Sequence, residues 1–286
     1  MTMWKGSLFA ALLLISVAAC ERSPQVDYSF FVAGHTYGTP GAHNQGIHPP
    51  FLAEFPKLNN DDNVIFGVFT GDIVRKSDTL SWDSVDTQVS RLRMPVYFIP
   101  GNHDTYNRPL YEARYGKTYY SFTHGRDLFV FLDGNLSNWN IDGEQLDFLK
   151  NTLDSAAGGT AYAFIFIHQL VWWDEHNIFA GVHLNWPPYT PDTTNYWADI
   201  EPLLQGFAAP VVIFAGDLGA NEQATPVMYY HDRNITYVAS GMGSIRSDNY
   251  IMVTRHGDGR LSFDLIALSD DPKRMGKLED HEIARP

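Results

Sequence analysis

Six short apolar runs restrict what this chain can fold into: Ser29–Ala33, Val64–Phe69, Val96–Ile99, Leu128–Asp133, Tyr162–Ile167 and Val211–Ala215. Most are continuous rather than alternating, so each strand they predict needs cover on both faces. A largely parallel sheet between helical layers meets that need. Helical spacing fills the gaps. Trp82, Val85, Val89 and Leu92 recur along one face, and Leu146, Leu149 and Leu153 recur behind Asp142, a suitable N-cap with Gln145 three residues on. Strand–helix–strand order predicts an α/β fold. From Val227 to Leu268 the chain carries shorter strand-like runs, turn glycines and no clear helix. Nothing resembling a linker divides the 286 residues, and 44% of them are hydrophobic, enough for one packed core. The reading is a single domain over 28–270, after a tether at 20–27 and before a polar C-terminal tail at 271–286.

The runs stop in a consistent way. The stretch MPVYFIPGNHD ends a strand-like run on Gly101 and then presents Asn102, His103 and Asp104. Gly34-His35, Gly71-Asp72 and Gly216-Asp217 follow three other runs, and His168 follows a fifth directly. In an open α/β sheet the carboxyl ends of the strands form the binding crevice. Convergence of five such ends would gather imidazoles, carboxylates and an amide. Those donors suit Mn, Fe, Zn or Mg rather than a thiolate-binding metal. Taken singly, His168 reads as a core histidine and a Gly-Asp pair as a turn. Their common position at the strand ends favours a shared site.

The order Gly71-Asp72, then Gly101-Asn102-His103-Asp104, then a strand-end His168 resembles the calcineurin-like metallophosphoesterases, over about Tyr28 to Ile245. The resemblance implies two packed β-sheets flanked by helices, metals held across the strand ends, and hydrolysis of phosphate mono- or diesters. It also implies metal ligation by His35, Asp72, Asn102, His168 and Asp217, with His103 at the phosphate or leaving group and Asp104 orienting it. Two motifs depart from the family. The first, Asp-x-His, reads Ala33-Gly34-His35. The fifth, Gly-His-x-His, reads Gly216-Asp217-Leu218-Gly219. One implied metal therefore keeps only His35 and Asp72. The other keeps Asp72, Asn102 and His168, with Asp217 standing for an imidazole. One divalent ion is expected. His43, His48, His176 and His183 are possible replacement ligands, though surface loop histidine is the preferred reading of all four.

At the start, Lys5 precedes the apolar run Leu8 to Ala19, which ends Val17-Ala18-Ala19-Cys20. Twelve residues are too few for a permanent span. The pattern resembles a bacterial lipoprotein signal at 1–19, with lipid on Cys20, the only cysteine in the chain. The expected location is the cell envelope, lipid-anchored and facing the periplasm, on the outer membrane rather than the inner. The net charge of −13 argues against nucleic acid as a partner. Four of the seven tryptophans, Trp172, Trp173, Trp186 and Trp197, fall between Val171 and Trp197 with Tyr189 and Tyr196. They could stack on a sugar, a base or a lipid headgroup of a substrate, sugar- or lipid-linked, or pack as a small cap. Tyr237 to Ser244 reads as a strand and glycine turn rimming the site. Three functions stay open: a phosphoester hydrolase, a catalytically degraded binding or assembly module that keeps the fold, and a carbohydrate-binding envelope protein using the aromatic segment.

Overall fold

The computed structural model describes residues 26–42, 44–186, 194–269 and 275–284. Eleven strands are found there: β1 Val26–Ala33, β2 Val64–Thr70, β3 Val96–Ile99, β4 Tyr120–His124, β5 Asp127–Phe131, β6 Tyr162–Ile167, β7 Val211–Ala215, β8 Val227–Asp232, β9 Ile235–Ser240, β10 Asn249–His256 and β11 Leu261–Ala267. They form two sheets, ordered β11-β10-β1-β2-β3 and β4-β5-β6-β7-β9-β8. Within the first, β1, β2 and β3 are parallel; within the second, β5, β6, β7 and β9 are parallel. The antiparallel strands lie outside these runs: β10 and β11 on one sheet, β4 and β8 on the edges of the other.

Side chains alternate across a strand, so a strand apolar on both sides joins two cores. Phe30 and Val32 point into the seam between the sheets with Phe66, Phe129, Phe164, Phe166 and Phe214. Phe30 lies 5.1 Å from Phe164 across the seam, edge to face. Phe31 and Ala33 turn outward, into a second core beneath α1 (Pro49–Leu52), α2 (Phe55–Asn60), α3 (Thr79–Val89) and α4 (Arg108–Tyr115). Ala163, Ile165 and Ile167 likewise face α5 (Gly143–Ala156) and α6 (Glu201–Gly206). This two-sided burial explains the continuous runs. Truncating Phe30, which is fully buried, should cost about 3–5 kcal/mol.

Three local expectations are corrected. Asp142 is the N-cap residue of α5, but its side chain accepts from Ser137 Oγ at 2.6 Å instead of capping the helix. Gln145 turns inward and bonds the backbone N–H and C=O of Asp133 at 2.7 and 3.1 Å, so no capping box forms. The stretch read as a polar tail returns to the domain, burying Met275 and Leu278 and pairing Ile283 N with Tyr229 O. The leader, Cys20 and His43 lie outside the described residues. Among the described residues no helix is long and apolar enough to cross a membrane.

Candidate metal centre

Because β1, β2 and β3 run parallel in one sheet and β6, β7 and β9 in the other, their carboxyl ends meet at one edge of the sandwich. The backbones close up there. A Cβ at Gly34 would lie 2.3 Å from Ser240 O and 2.5 Å from Gly216 Cα, so side chains must reach in from the next residue. His35 and Asp72 do so with φ of 53° and 51°, in the left-handed region that non-glycine residues avoid. Six non-glycine residues have positive φ among the described residues. Five of them, His35, Asp72, Asn138, Trp139 and Ile245, line one cleft of about 1380 Å³. Strain gathered in this way marks a functional site.

Asp72 and Asp217 line that cleft, and His168 lies fully buried against both. One donor atom from each lies within 4.8 Å of the others, and all three residues are buried. His168 Nδ1 donates to Thr70 O at 2.8 Å, which leaves Nε2 bare. That Nε2 faces Asp72 Oδ1 at 3.4 Å and Asp217 Oδ2 at 3.8 Å. Asp217 Oδ1 accepts from Asn185 Nδ2 at 2.7 Å, whereas Asp217 Oδ2 and His168 Nε2 are buried with no hydrogen-bond partner. Tying one imidazole nitrogen to a carbonyl while aiming the other at carboxylates is how metal-ligating histidines are held. Lone pairs pointed at one another in a buried site fit a divalent cation with nitrogen and oxygen ligands.

His35 sits at the other oxygen of the same carboxylate. Its Nδ1 donates to Met242 O at 2.9 Å, and its Nε2 is 3.6 Å from Asp72 Oδ2. Asp72 thus offers one oxygen to the three-residue group and one to His35. Ala33, where the family's aspartate would stand, is packed in the outer apolar core. Gly219, at φ 70°, has no room for the family's last histidine, since a Cβ would meet Gly241 O at 2.7 Å.

Burial governs the titration of these groups. It pushes Asp217 up to about 6, with help from Asp72 and opposed by His168 and the Asn185 bond. Burial pulls His35 down to about 4 against the attraction of Asp72, keeping it neutral. Burial also weighs against a charged His168, but Asp72 and Asp217 outweigh it, so the His168 pKa is raised. A proton and a metal ion compete for that nitrogen.

The expected pairing of His103 with Asp104 is not formed. Asp104 turns into the protein, accepting from Ile73 N and Val74 N at 3.0 Å and from Gly101 N at 2.8 Å. It fastens the turn after β2 to the turn after β3 and faces no reacting group. His103 is held instead by the carbonyl of Arg75, to which Nδ1 donates at 2.8 Å. Its Nε2 lies 3.5 Å from the Tyr37 hydroxyl. Both His103 and Asn102 line the cleft.

The other histidines stay apart from this group. His48 is buried and donates to Asp248 Oδ2 at 2.7 Å, contrary to its surface reading. His176 is exposed beside Glu175, and His183 pairs with Thr225 through its backbone, its N–H donating to Thr225 Oγ1 and its C=O accepting from Thr225 N. The aromatic segment divides: Trp172 is core, whereas Trp186 lies exposed on the cleft rim. Tyr189 falls outside the described residues. Sequence reading missed Asn185 and Tyr37. Tyr37 is two residues from His35, but Asn185 is 32 residues from the carboxylate it holds and carries no motif.

The sequence model of the calcineurin-like phosphoesterases matches residues 42–218, more than half of the chain. The chain belongs to this family. Its members are metal-dependent phosphoester hydrolases, which agrees with the ligand types gathered at the strand ends. The fold is similar to that of a purple acid phosphatase from yellow lupin (Lupinus luteus) seeds, with a TM-score of 0.61 and 15% identity. That match covers 85% of this chain and 52% of the lupin protein, so this calcineurin-like phosphoesterase spans about half the length of that relative. A weaker likeness, with a TM-score of 0.38 and 12% identity, joins it to a predicted phosphoesterase from Streptococcus pneumoniae, covering 90% and 92% of the two chains. No curated protein matches the sequence.

Proposed function

We propose that this protein is an exported phosphoester hydrolase working with one divalent ion held by Asp72, Asn102, His168 and Asp217. The observation that carries the reading is the pair of buried, unpartnered atoms His168 Nε2 and Asp217 Oδ2, 3.8 Å apart, with Asp72 Oδ1 3.4 Å from the same Nε2. A scaffold kept only for binding gains nothing from such atoms, each of which costs stability. A divalent ion there would supply Lewis-acid polarisation of a phosphoryl group and activation of water. The chain's own groups do the rest. Asn185 orients Asp217, and the Thr70 carbonyl orients His168. His103, fixed at Nδ1 by Arg75 O, turns Nε2 to the cleft; as imidazolium it would donate that proton to the leaving oxygen. Tyr37, whose pKa burial raises, keeps its hydroxyl proton beside His103.

Metal analysis and a phosphoester screen test this reading. Wild type should hold about one ion, the number one complete ligand set supports. Asp72→Ala should lose the ion, and activity should fall ~100-fold or more. Absence of both metal and hydrolysis in wild type would turn the assignment toward a binding module. Export and anchoring rest on Lys5, the apolar run and Cys20. Cys20→Ser should release the protein from membranes or block its processing.

A further inference from the structure

Six large apolar side chains stay exposed among the described residues, and three of them, Tyr106, Trp186 and Ile245, open onto the cleft above the metal group. Tyr106 is 73% exposed and Trp186 75%. Apolar surface of that size, gathered at the mouth of a polar pocket, marks a place where a ligand is covered.

Both aromatic residues connect directly to the metal group. The Tyr106 ring lies 5.2 Å from His103, His103 lies 5.1 Å from Tyr37, and Tyr37 lies 4.3 Å from His35. A row of rings thus leads from the rim to the His35–Asp72 side. Trp186 follows Asn185, whose amide holds Asp217. The two exposed rings therefore flank the group from its two ends.

Charge narrows the ligand further. The carboxylates lining the cleft belong to Asp72, Asp217 and Glu222; Glu222 is paired with Arg246 at 3.6 Å, and the one lining guanidinium, Arg75, donates to Ala42 O. The two metal-facing carboxylates with Arg75 leave one negative charge, so one divalent ion leaves one positive charge, which a monoanion neutralises. A phosphomonoester, with a second pKa of about 6, is largely dianionic at neutral pH. A diester has no second ionisation and remains a monoanion. It also has two organic groups to place, and the cleft offers two exposed rings.

We infer that the substrate is a phosphodiester bearing a planar aromatic ring on each ester arm, which stack on Tyr106 and Trp186 while its phosphate sits at Asp72, His168 and Asp217. This inference rests on the phosphoester-hydrolase reading. In the metal-loaded full-length protein, kcat/KM for bis(4-nitrophenyl) phosphate should exceed that for 4-nitrophenyl phosphate by on the order of tenfold. Tyr106→Ala and Trp186→Ala should each raise KM for the diester roughly tenfold with little change in kcat, the scale of one lost stacking contact. Leu80→Ala, exposed but away from the cleft, should change neither. Equal or faster cleavage of the monoester would overturn the diester assignment, and unchanged KM in both rim variants would overturn the ring subsite. Binding gives a second readout that needs no turnover. Phenyl phenylphosphonate, a monoanion with two rings, should quench tryptophan fluorescence saturably in wild type and not in Trp186→Ala, whereas methyl methylphosphonate should not quench. If neither ester is cleaved, the hydrolase reading fails, and the quenching experiment alone decides the ring subsite: saturable quenching supports it and its absence overturns it.

Discussion

His103 and Asp104 are neighbours in sequence and face opposite ways, one into the cleft and the other into the backbone. Asp104→Asn replaces one acceptor oxygen of a carboxyl group serving three N–H groups with an N–H donor, so it should cost about 1–3 kcal/mol in urea unfolding. A structural role lowers the midpoint and spares the pH profile of activity; a role in orienting His103 would shift that profile. Asp217 sets a second expectation. Its raised pKa means the folded, metal-free protein holds this proton more tightly than the unfolded chain. Stability from that proton is present below the ordinary Asp value, is lost as pH rises to about 6, and stays lost above it. Metal binding needs the carboxylate bare. The rise in Tm on adding Mn²⁺ should therefore be small at pH 5 and full by pH 7.5, with the raised pKa of His168 acting in the same direction; a constant rise would remove Asp217 and His168 from the ligand set. His35 does not confuse this window, since it stays neutral down to about pH 4. The ligand positions were legible in the sequence because each follows an apolar run that must stop. The direction of Asp104 was not, because only the fold shows which amides lie behind it.

At the scale of elements, the parallel strands were readable and the hairpins less so. Runs buried on both faces, such as Tyr162–Ile167, keep one composition from end to end. The edge strand β4, with its exposed Thr123 and His124, carries no such run and went unpredicted. Loops hold the cleft rim in place. Asp248 accepts from Gly243 N at 2.7 Å and Ile245 N at 2.9 Å through one oxygen, and from His48 through the other. The His48 and Gly243 bonds, with burial working against them, leave the Asp248 pKa lowered, so the carboxylate is charged. The pair ties the loop after β1 to the loop after β9. His48→Ala would leave one oxygen of that buried carboxylate without its hydrogen bond, at a cost of about 1–3 kcal/mol in denaturant unfolding. Faster amide exchange at Gly243–Ile245 should accompany it. Unchanged exchange there would mean that Asp248 alone holds the rim.

The whole molecule carries a charge of −13, which repels an anionic ester at long range. Added salt screens that repulsion, so kcat/KM for an anionic substrate should rise by roughly twofold or more between about 10 and 150 mM NaCl. A fall would show that a local positive field governs approach. The candidate ligands come from both sheets: Asp72 follows β2 of one, while His168 and Asp217 follow β6 and β7 of the other. An ion held by all three is consequently a clasp between layers as well as a reagent. Prying the sandwich open at this edge means breaking coordination before the phenylalanine seam can wet. Chelator treatment should therefore shorten the protein's survival under protease at neutral pH, an effect on lifetime separate from any loss of turnover. An enzyme fastened in this way would lose its activity and its durability together when the metal leaves.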